Sequence, residues 1–379
     1  MELSDYRVQM DEIDRQLVDL FAKRMQTAAE IAAWKKAHDV PVLDAARERK
    51  KLAAVSAMAP EALREQVVTL YDLLFELSRC YQSAFLGTKS PLPNRIRCAM
   101  EETPELFPQQ ADVACQGVEG AYSQQACDKL FRTPNIFYCS TFEAVFSAIE
   151  SGLCRYGVIP LENSTAGSVN AVYDLMQQHN FSIVRSARLK VDHCLLARKG
   201  AKLSDIREIR THEQAVGQCS EFLHKLGVKV VRCENTAIAA KEVAESGRTD
   251  IAALASRSCA ALYGLDVLQE SVQDQGNNYT RFICISRDLE IYPGADRTSL
   301  MMVLRHRPGS LAQVLSRFYA RGINLNKLES RPIPQRDFEF MFYFDLDVPV
   351  YSPQFMQLMG ELDDLSESCF YLGSYSEVI

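Results

Sequence analysis

The sequence has 379 residues, more than one hydrophobic core ordinarily supports, so two or three domains are expected. Hydrophobic residues make up 47% and charged residues 24%, as in ordinary folded chains, and the net charge of −7 argues against a general nucleic-acid or anionic-membrane binder. An anionic ligand would need cations gathered locally in an acidic protein. The N-terminal Met1-Glu-Leu-Ser-Asp-Tyr-Arg7 has no apolar core behind basic residues, and no apolar run is long enough to span a bilayer. The 12 cysteines show no Cys-x-x-Cys pair. A cytoplasmic chain of free thiols, with neither structural zinc nor a disulfide scaffold, is expected.

From Ser4 to about Phe85 the chain reads as nearly all helix. Pro41 and Pro60 divide it into a long first helix, a short second one and a third of medium length. In the first, Ile13, Leu17, Leu20, Ala28 and Ile31 form an apolar stripe at three-and-four spacing, and the same spacing puts Arg24 and Lys35 on it. These two cations lie roughly three turns apart and point the same way. A buried cation is costly unless it meets an anion. On spacing alone two readings stay open: an internal ion pair with Glu48 or Asp44 (or snorkelling to solvent), and a pocket for an anionic ligand. Asp44, Arg47 and Glu48 sit at i, i+3 and i+4 on one face of the short helix, and Ser78 and Gln82 at i and i+4 on the third. Arg7 lies about a quarter turn off the stripe and does not easily reach the same pocket within one chain.

In order and spacing, Arg7, Arg24, Lys35, Asp44, Arg47, Glu48, Ser78 and Gln82 resemble the all-helical chorismate mutase family, over residues 4–86. The resemblance implies two intertwined chains, with Arg7 serving the partner's site. The rearrangement of chorismate is unimolecular, so no nucleophile is required; the site must hold a compact conformer and stabilise charge growing on the ether oxygen. By carry-over, Arg24 and Arg7 clamp carboxylates, and Lys35 and Gln82 donate to the ether oxygen. Glu48, with Asp44 nearby, accepts from the ring hydroxyl, while Arg47 and Ser78 complete the shell.

The polar, proline-bearing Thr88–Asn94 reads as a linker, taken to extend over residues 89–111. From about Asp112 to Asp288 short apolar runs alternate with helical stretches, which suggests α/β layering. The runs include 156–159, 228–231, 251–254 and 282–285. Four polar signals stand out: Gly117–Ser123, Ile159–Ser168, Thr211–Gln218 and Asn277–Phe282. The second lies where a strand ends, a common ligand position, but Asn163, Ser164 and Thr165 also suit a plain capped loop. Together, Glu162-Asn-Ser164 with Gly167, and Thr280-Arg-Phe282, resemble prephenate dehydratase over residues 112–287. That resemblance implies two lobes similar to periplasmic binding proteins, near 112–190 and 191–270, with the chain returning through Thr280. It implies Thr280 as donor to the leaving hydroxyl, a cleft lined by Glu162, Asn163, Ser164, Thr211, Gln218 and Phe282, and no metal or cofactor. For Arg281, binding a carboxylate and forming a structural salt bridge stay equally open.

From about Thr298 the order strand–helix–strand–strand–helix–strand emerges, with Leu311, Val314, Leu315 and Phe318 at helical spacing and Phe338–Asp347 as a strand. Pro308-Gly-Ser-Leu311 and Leu328-Glu-Ser-Arg-Pro332 resemble the ACT domains found beside prephenate dehydratases, with Ser310 where Ala is common. The implied ligand is L-phenylalanine, held by Gly309, Ser310, Leu311, Glu329 and Ser330; simple dimerisation is the blander reading.

The whole chain thus resembles the bifunctional chorismate mutase–prephenate dehydratase family. The expectation is an all-α mutase domain (1–88), a two-lobed α/β dehydratase domain (112–288) and an α+β ACT domain (297–379). Expected partners are chorismate, prephenate and L-phenylalanine, in a homodimer or dimer of dimers, without nucleic acid or membrane. A non-catalytic amino-acid sensor and an arogenate-preferring dehydratase are the alternatives.

Overall fold

The computed structural model describes residues 2–41, 44–86, 90–307, 309–333, 336 and 339–379. Thr88 and Lys89 of the expected linker, Pro308 and Phe338 lie outside the described residues. The chain divides into two compact units, one of residues 1–97 with 301–370, the other of 98–300 with 371–379. No helix among the described residues is long and apolar enough to cross a membrane.

The first unit opens with α1 (Leu3–Ala37), α2 (Ala45–Met58) and α3 (Arg64–Leu86). Helix α1 is long because proline and glycine are absent from it. Its stripe is buried only in the second half, at Met25, Ala28 and Ala32; Ile13, Leu17 and Leu20 are 51%, 55% and 62% exposed. The spacing correctly gives one face, but within a single chain no described element covers that face over the first six turns. Asp44, expected within α2, is instead its N-cap, accepting from Arg47 N at 2.9 Å. The stretch expected as a linker holds a further helix, α4 (Leu92–Glu102). Pro93 sits in its first turn, where a missing N–H costs nothing.

The second unit holds two sheets. Its first lobe contains β1 (Asp112–Gln116), α5 (Tyr122–Leu130), β2 (Asn135–Cys139), α6 (Phe142–Glu150), β3 (Tyr156–Asn163), β4 (Gly167–Ser168), α7 (Asn170–Met176) and β5 (Ser182–Lys190). The chain then crosses to a second lobe of β6 (Cys194–Arg198), β7 (Glu208–Thr211), α8 (Glu213–Gln218), α9 (Ser220–Leu226), β8 (Lys229–Arg232), α10 (Thr236–Glu245), β9 (Ile251–Ala255), α11 (Arg257–Tyr263) and β10 (Leu265–Gln269). It returns to the first lobe as β11 (Tyr279–Ser286). The two crossings run side by side, joined by Val191 N to Asn278 O (2.8 Å) and Val272 N to His193 O (2.9 Å). The second-lobe sheet has the order β10-β6-β9-β7-β8. Tyr156, Val158, Ala187, Phe282 and Cys284 pack the first-lobe core; Ala-rich α10 packs on β9 in the second.

The C-terminal region follows as β12 (Arg297–Val303), α12 (Ser310–Ala320), β13 (Asn324–Pro332), β14 (Phe340–Asp347), α13 (Pro353–Leu365), β15 (Ser368–Tyr375) and β16 (Glu377–Val378). Its sheet has the order β13-β14-β12-β15, and β16 joins the first-lobe sheet, β16-β5-β11-β3-β1-β2 with β4 on β3. Gly309 is the N-cap of α12 at φ +85°, a left-handed backbone that favours glycine. Phe318 on α12 meets Phe344 on β14 edge-on, centroids 5.5 Å apart. The multidomain architecture of an all-α, an α/β and an α+β region matches the expected fold class.

Candidate active sites

The first unit contains a cavity of about 550 Å³ between α1, α2 and α3. Arg24, Lys35, Asp44, Arg47, Glu48, Ser78 and Gln82 all line it, with Thr27, Ala28, Ile31, Lys51, Phe75 and Arg79. Five cations therefore face two carboxylates, which is the local excess of positive charge that a dianion needs inside an acidic protein. Arg24 is braced: its Nη1 donates to Leu74 O at 3.0 Å and to Ser78 Oγ, and its guanidinium lies 5.8 Å from the Phe75 ring centre. Burial pulls it below its ordinary pKa, with Tyr71 and Glu48 opposing. Gln82 is buried, and its Oε1 has no hydrogen-bond partner among the described residues. A buried amide left with spare capacity at a cavity wall is what a polar ligand would satisfy. Arg7 does not line the cavity; it lies on the exposed first half of α1.

In the second unit, β3 ends beside the start of β11, with Thr280 opposite Asn163 and Arg281 opposite Glu162. The orientation of the Asn163 amide is fixed by its neighbours. Oδ1 accepts from Thr165 N (3.0 Å), Thr165 Oγ1 (2.7 Å) and Ala166 N (2.9 Å). Nδ2 donates to Asn278 Oδ1 (2.7 Å) and Thr280 Oγ1 (2.9 Å). Ser164 Oγ bridges Asn277 O and Tyr279 N, both at 2.9 Å. From the second lobe, Gln218 Nε2 reaches Thr165 Oγ1 at 3.3 Å while its Oε1 accepts from His193 Nε2 at 2.9 Å. Burial lowers the pKa of His193, holding it neutral.

Three residues expected in the cleft behave differently. Thr211 is fully buried and donates its hydroxyl to Leu254 O at 2.9 Å, tying β7 to β9. Phe282 is 2% exposed within the first-lobe core; the bulge between Arg281 and Phe282 turns it inward. Arg281 is almost wholly buried, with its Nε 2.8 Å from Glu162 Oε1. In the C-terminal region, Gly309, Ser310 and Leu311 open α12, and Glu329 and Ser330 lie on β13. Ser310 is buried, with an unpartnered Oγ among the described residues.

Three families match in chain order: Chorismate mutase type II over residues 6–83, Prephenate dehydratase over 113–290 and ACT domain over 298–351. Over 380 residues the chain is 30% identical to the bifunctional chorismate mutase/prephenate dehydratase of Escherichia coli (strain K12), covering 97% of this chain and 95% of that one. The chain belongs to the bifunctional chorismate mutase/prephenate dehydratase family. It is an enzyme with a mutase domain, a dehydratase domain and an ACT domain. It is also 38% identical over 280 residues to the arogenate dehydratase/prephenate dehydratase 1, chloroplastic, of Arabidopsis thaliana, covering 69% of this chain and 71% of that one. Among solved structures, the prephenate dehydratase of Arthrobacter aurescens in complex with L-Phe superposes with a TM-score of 0.64 at 29% identity, over 70% of this chain and 90% of that one.

The sequence analysis singled out neither Phe75 and Arg79 in the helical cavity nor His193 beside the β3–β11 cleft, while Thr165 and Asn278 lay within polar stretches it marked without giving them a site role. The first pair was legible: 75, 78, 79 and 82 form one helical face, of which only Ser78 and Gln82 were singled out. His193 was not, because it sits on a crossing between the lobes, where no periodicity marks it.

Proposed function

We propose that the helical cavity rearranges chorismate to prephenate and that the β3–β11 cleft converts prephenate to phenylpyruvate. The observation that carries the first step is the convergence of Arg24, Lys35, Arg47 and Gln82 on one cavity. Arg24, pre-oriented by Leu74 and Ser78, meets one substrate carboxylate without an ordering cost at the moment of binding. Lys35 and Gln82 donate to the ether oxygen as the C–O bond breaks, and an amide does so at any physiological pH. Glu48 and Asp44 orient the cations and accept from the ring hydroxyl. Phe75 and Ile31 give the ring an apolar wall.

In the second step the ring carboxylate leaves as CO2, its electron pair enters the ring, and the C–OH bond breaks as the ring becomes aromatic. The departing oxygen gathers negative charge. Because Asn163 Nδ2 donates to Thr280 Oγ1, the single hydroxyl hydrogen of Thr280 is left to donate elsewhere. We assign it to the leaving hydroxyl. Glu162 and Arg281 hold the strand ends in register, Ser164 fixes the loop, and Gln218 closes the cleft from the second lobe. Prephenate rather than arogenate is the favoured substrate, since the mutase domain of the same chain makes it.

The exposed apolar face of α1 supports an intertwined homodimer in which Arg7 completes the partner's cavity. The ACT domain would bind L-phenylalanine near Gly309–Leu311 and Glu329-Ser330, by the family resemblance, and inhibit by favouring a less active arrangement; the related prephenate dehydratase of Arthrobacter aurescens forms a complex with L-Phe. A cytoplasmic location fits the 12 free thiols.

The test is a pair of variants assayed with chorismate and prephenate separately. Thr280→Ala should lose phenylpyruvate formation by at least a hundredfold while chorismate consumption persists, and Arg24→Ala the reverse. Undiminished phenylpyruvate formation by Thr280→Ala, or full mutase activity in Arg24→Ala, would remove the corresponding assignment.

A further inference from the structure

A chain of alternating charges runs from the mutase cavity into the ACT helices, and neither site accounts for it. Arg79, on the cavity wall, donates through Nη1 to Glu48 Oε1 and through Nη2 to Glu76 Oε2. The other oxygen of Glu76, Oε1, accepts from Arg317 Nε on α12. Arg317 Nη1 continues to Glu361 Oε2 on α13, and Glu361 Oε1 accepts from Arg321 Nη2. Glu76 and Glu361 thus each divide their two oxygens between two guanidinium groups. The side chains of Glu76, Arg317, Glu361 and Arg321 are 4%, 5%, 8% and 6% exposed, so they have no water to fall back on. Burial works against the Arg79 and Arg317 guanidinium groups, yet their carboxylate partners hold both above their ordinary pKa.

We propose that Arg79 is a positioning residue of the mutase site, fixing the Glu48 carboxylate at the cavity wall and tying it through Glu76 to Arg317 of the ACT domain. The inference rests on the reading of the cavity as the mutase site. Its physical content is competition. Arg79 is shared between Glu48 and Glu76, and Arg317 neutralises part of Glu76. Withdrawing Arg317 leaves Glu76 under-compensated, which draws Arg79 toward it and loosens Glu48. Apolar residues of similar volume would join α3 to α12 at least as stably, because ions pay for their desolvation. A relay of charges instead makes the position of Glu48 depend on the position of α12. By linkage, occupancy of the mutase cavity would then bias α12 in return.

The experiment measures mutase kcat and KM on chorismate in the full-length enzyme, with prephenate turnover and thermal melting as fold controls. Arg79→Met should lower mutase kcat at least tenfold while prephenate turnover stays within twofold. Arg79→Lys should recover only part of the loss, because an ammonium cannot fork between two carboxylates. Arg317→Met should lower mutase kcat as well, and that effect should vanish in the Arg79→Met background, since it acts through Arg79. If Arg317→Met fails to fold, Arg317→Gln replaces it in the same cycle. Wild-type kcat in Arg79→Met, or an equal effect of the ACT variant in both backgrounds, would reduce the chain to packing and overturn the proposal. Absence of chorismate turnover in the unaltered enzyme would instead remove the mutase reading itself.

Discussion

Asn163 commits every polar atom of its amide to the protein, and that commitment decides what its neighbour does. Two backbone N–H groups at Oδ1 leave no freedom to flip, so Nδ2 must face Thr280 and the Thr280 hydrogen must face away. His193 presents the same logic with a titratable group. Its Nε2–H is donated to Gln218, and its buried Nδ1 has no partner among the described residues. Burial sets its folded pKa below the unfolded value of about 6.5. Between those two values the unfolded chain binds the extra proton and the folded chain does not, so stability rises with pH there and is lost as pH falls through about 6.5. Thermal melting of the wild type should therefore fall more between pH 7.5 and 5.5 than that of His193→Asn; parallel profiles would show that His193 is not the titrating group.

Elements carry the next set of constraints. Strand β15 passes so close to β5 that a Cβ on Gly373 would lie 2.2 Å from the Ile183 carbonyl oxygen, on a backbone with φ +138°. No side-chain rotation relieves a clash with backbone, so Gly373→Ala should destabilise by about 1–3 kcal/mol in denaturant melts with catalytic constants preserved in the folded fraction. Nothing in the sequence around Gly373 distinguishes it from a turn glycine. By contrast the start of α6 was readable, because Thr141 followed by an apolar periodic run is a cap signature, and its Oγ1 accepts from Ala144 N at 3.1 Å. Helix α4 was masked by Pro91 and Pro93, which read as linker residues although proline suits a first helical turn. Asp44 was assigned to the helix it caps, since boundaries shift by a residue or two.

At the scale of the whole molecule, the exposed half of α1 and the position of Arg7 outside the cavity belong together. If two chains intertwine, each site draws Arg7 from one chain and Arg24 from the other. Arg7→Ala and Arg24→Ala should each be inactive as mutases, while co-refolding them should restore activity, because a mixed pair contains one site with neither lesion. Failure of the mixture to exceed its components, with a mixed dimer present, would place Arg7 outside the site. The enzyme should also elute as a dimer or larger species; a monomer with full mutase activity would contradict the exchange.

The sequence by itself determined the three regions, the helices of the first, the strand and helix order of the last, and most of the residues that line the helical cavity. Those properties follow from periodicity, caps and polar residues at fixed helical spacing, all of which are local. The tertiary structure decided what local spacing does not encode. It turned Thr211 and Phe282 into core, gave Arg281 to Glu162, brought His193 and Asn278 to the cleft from the two crossings, and joined Arg79 to Arg317 across 238 positions of chain. The physical reason is that a buried polar group must find its partner wherever the fold presents one, and sequence distance places no limit on that search.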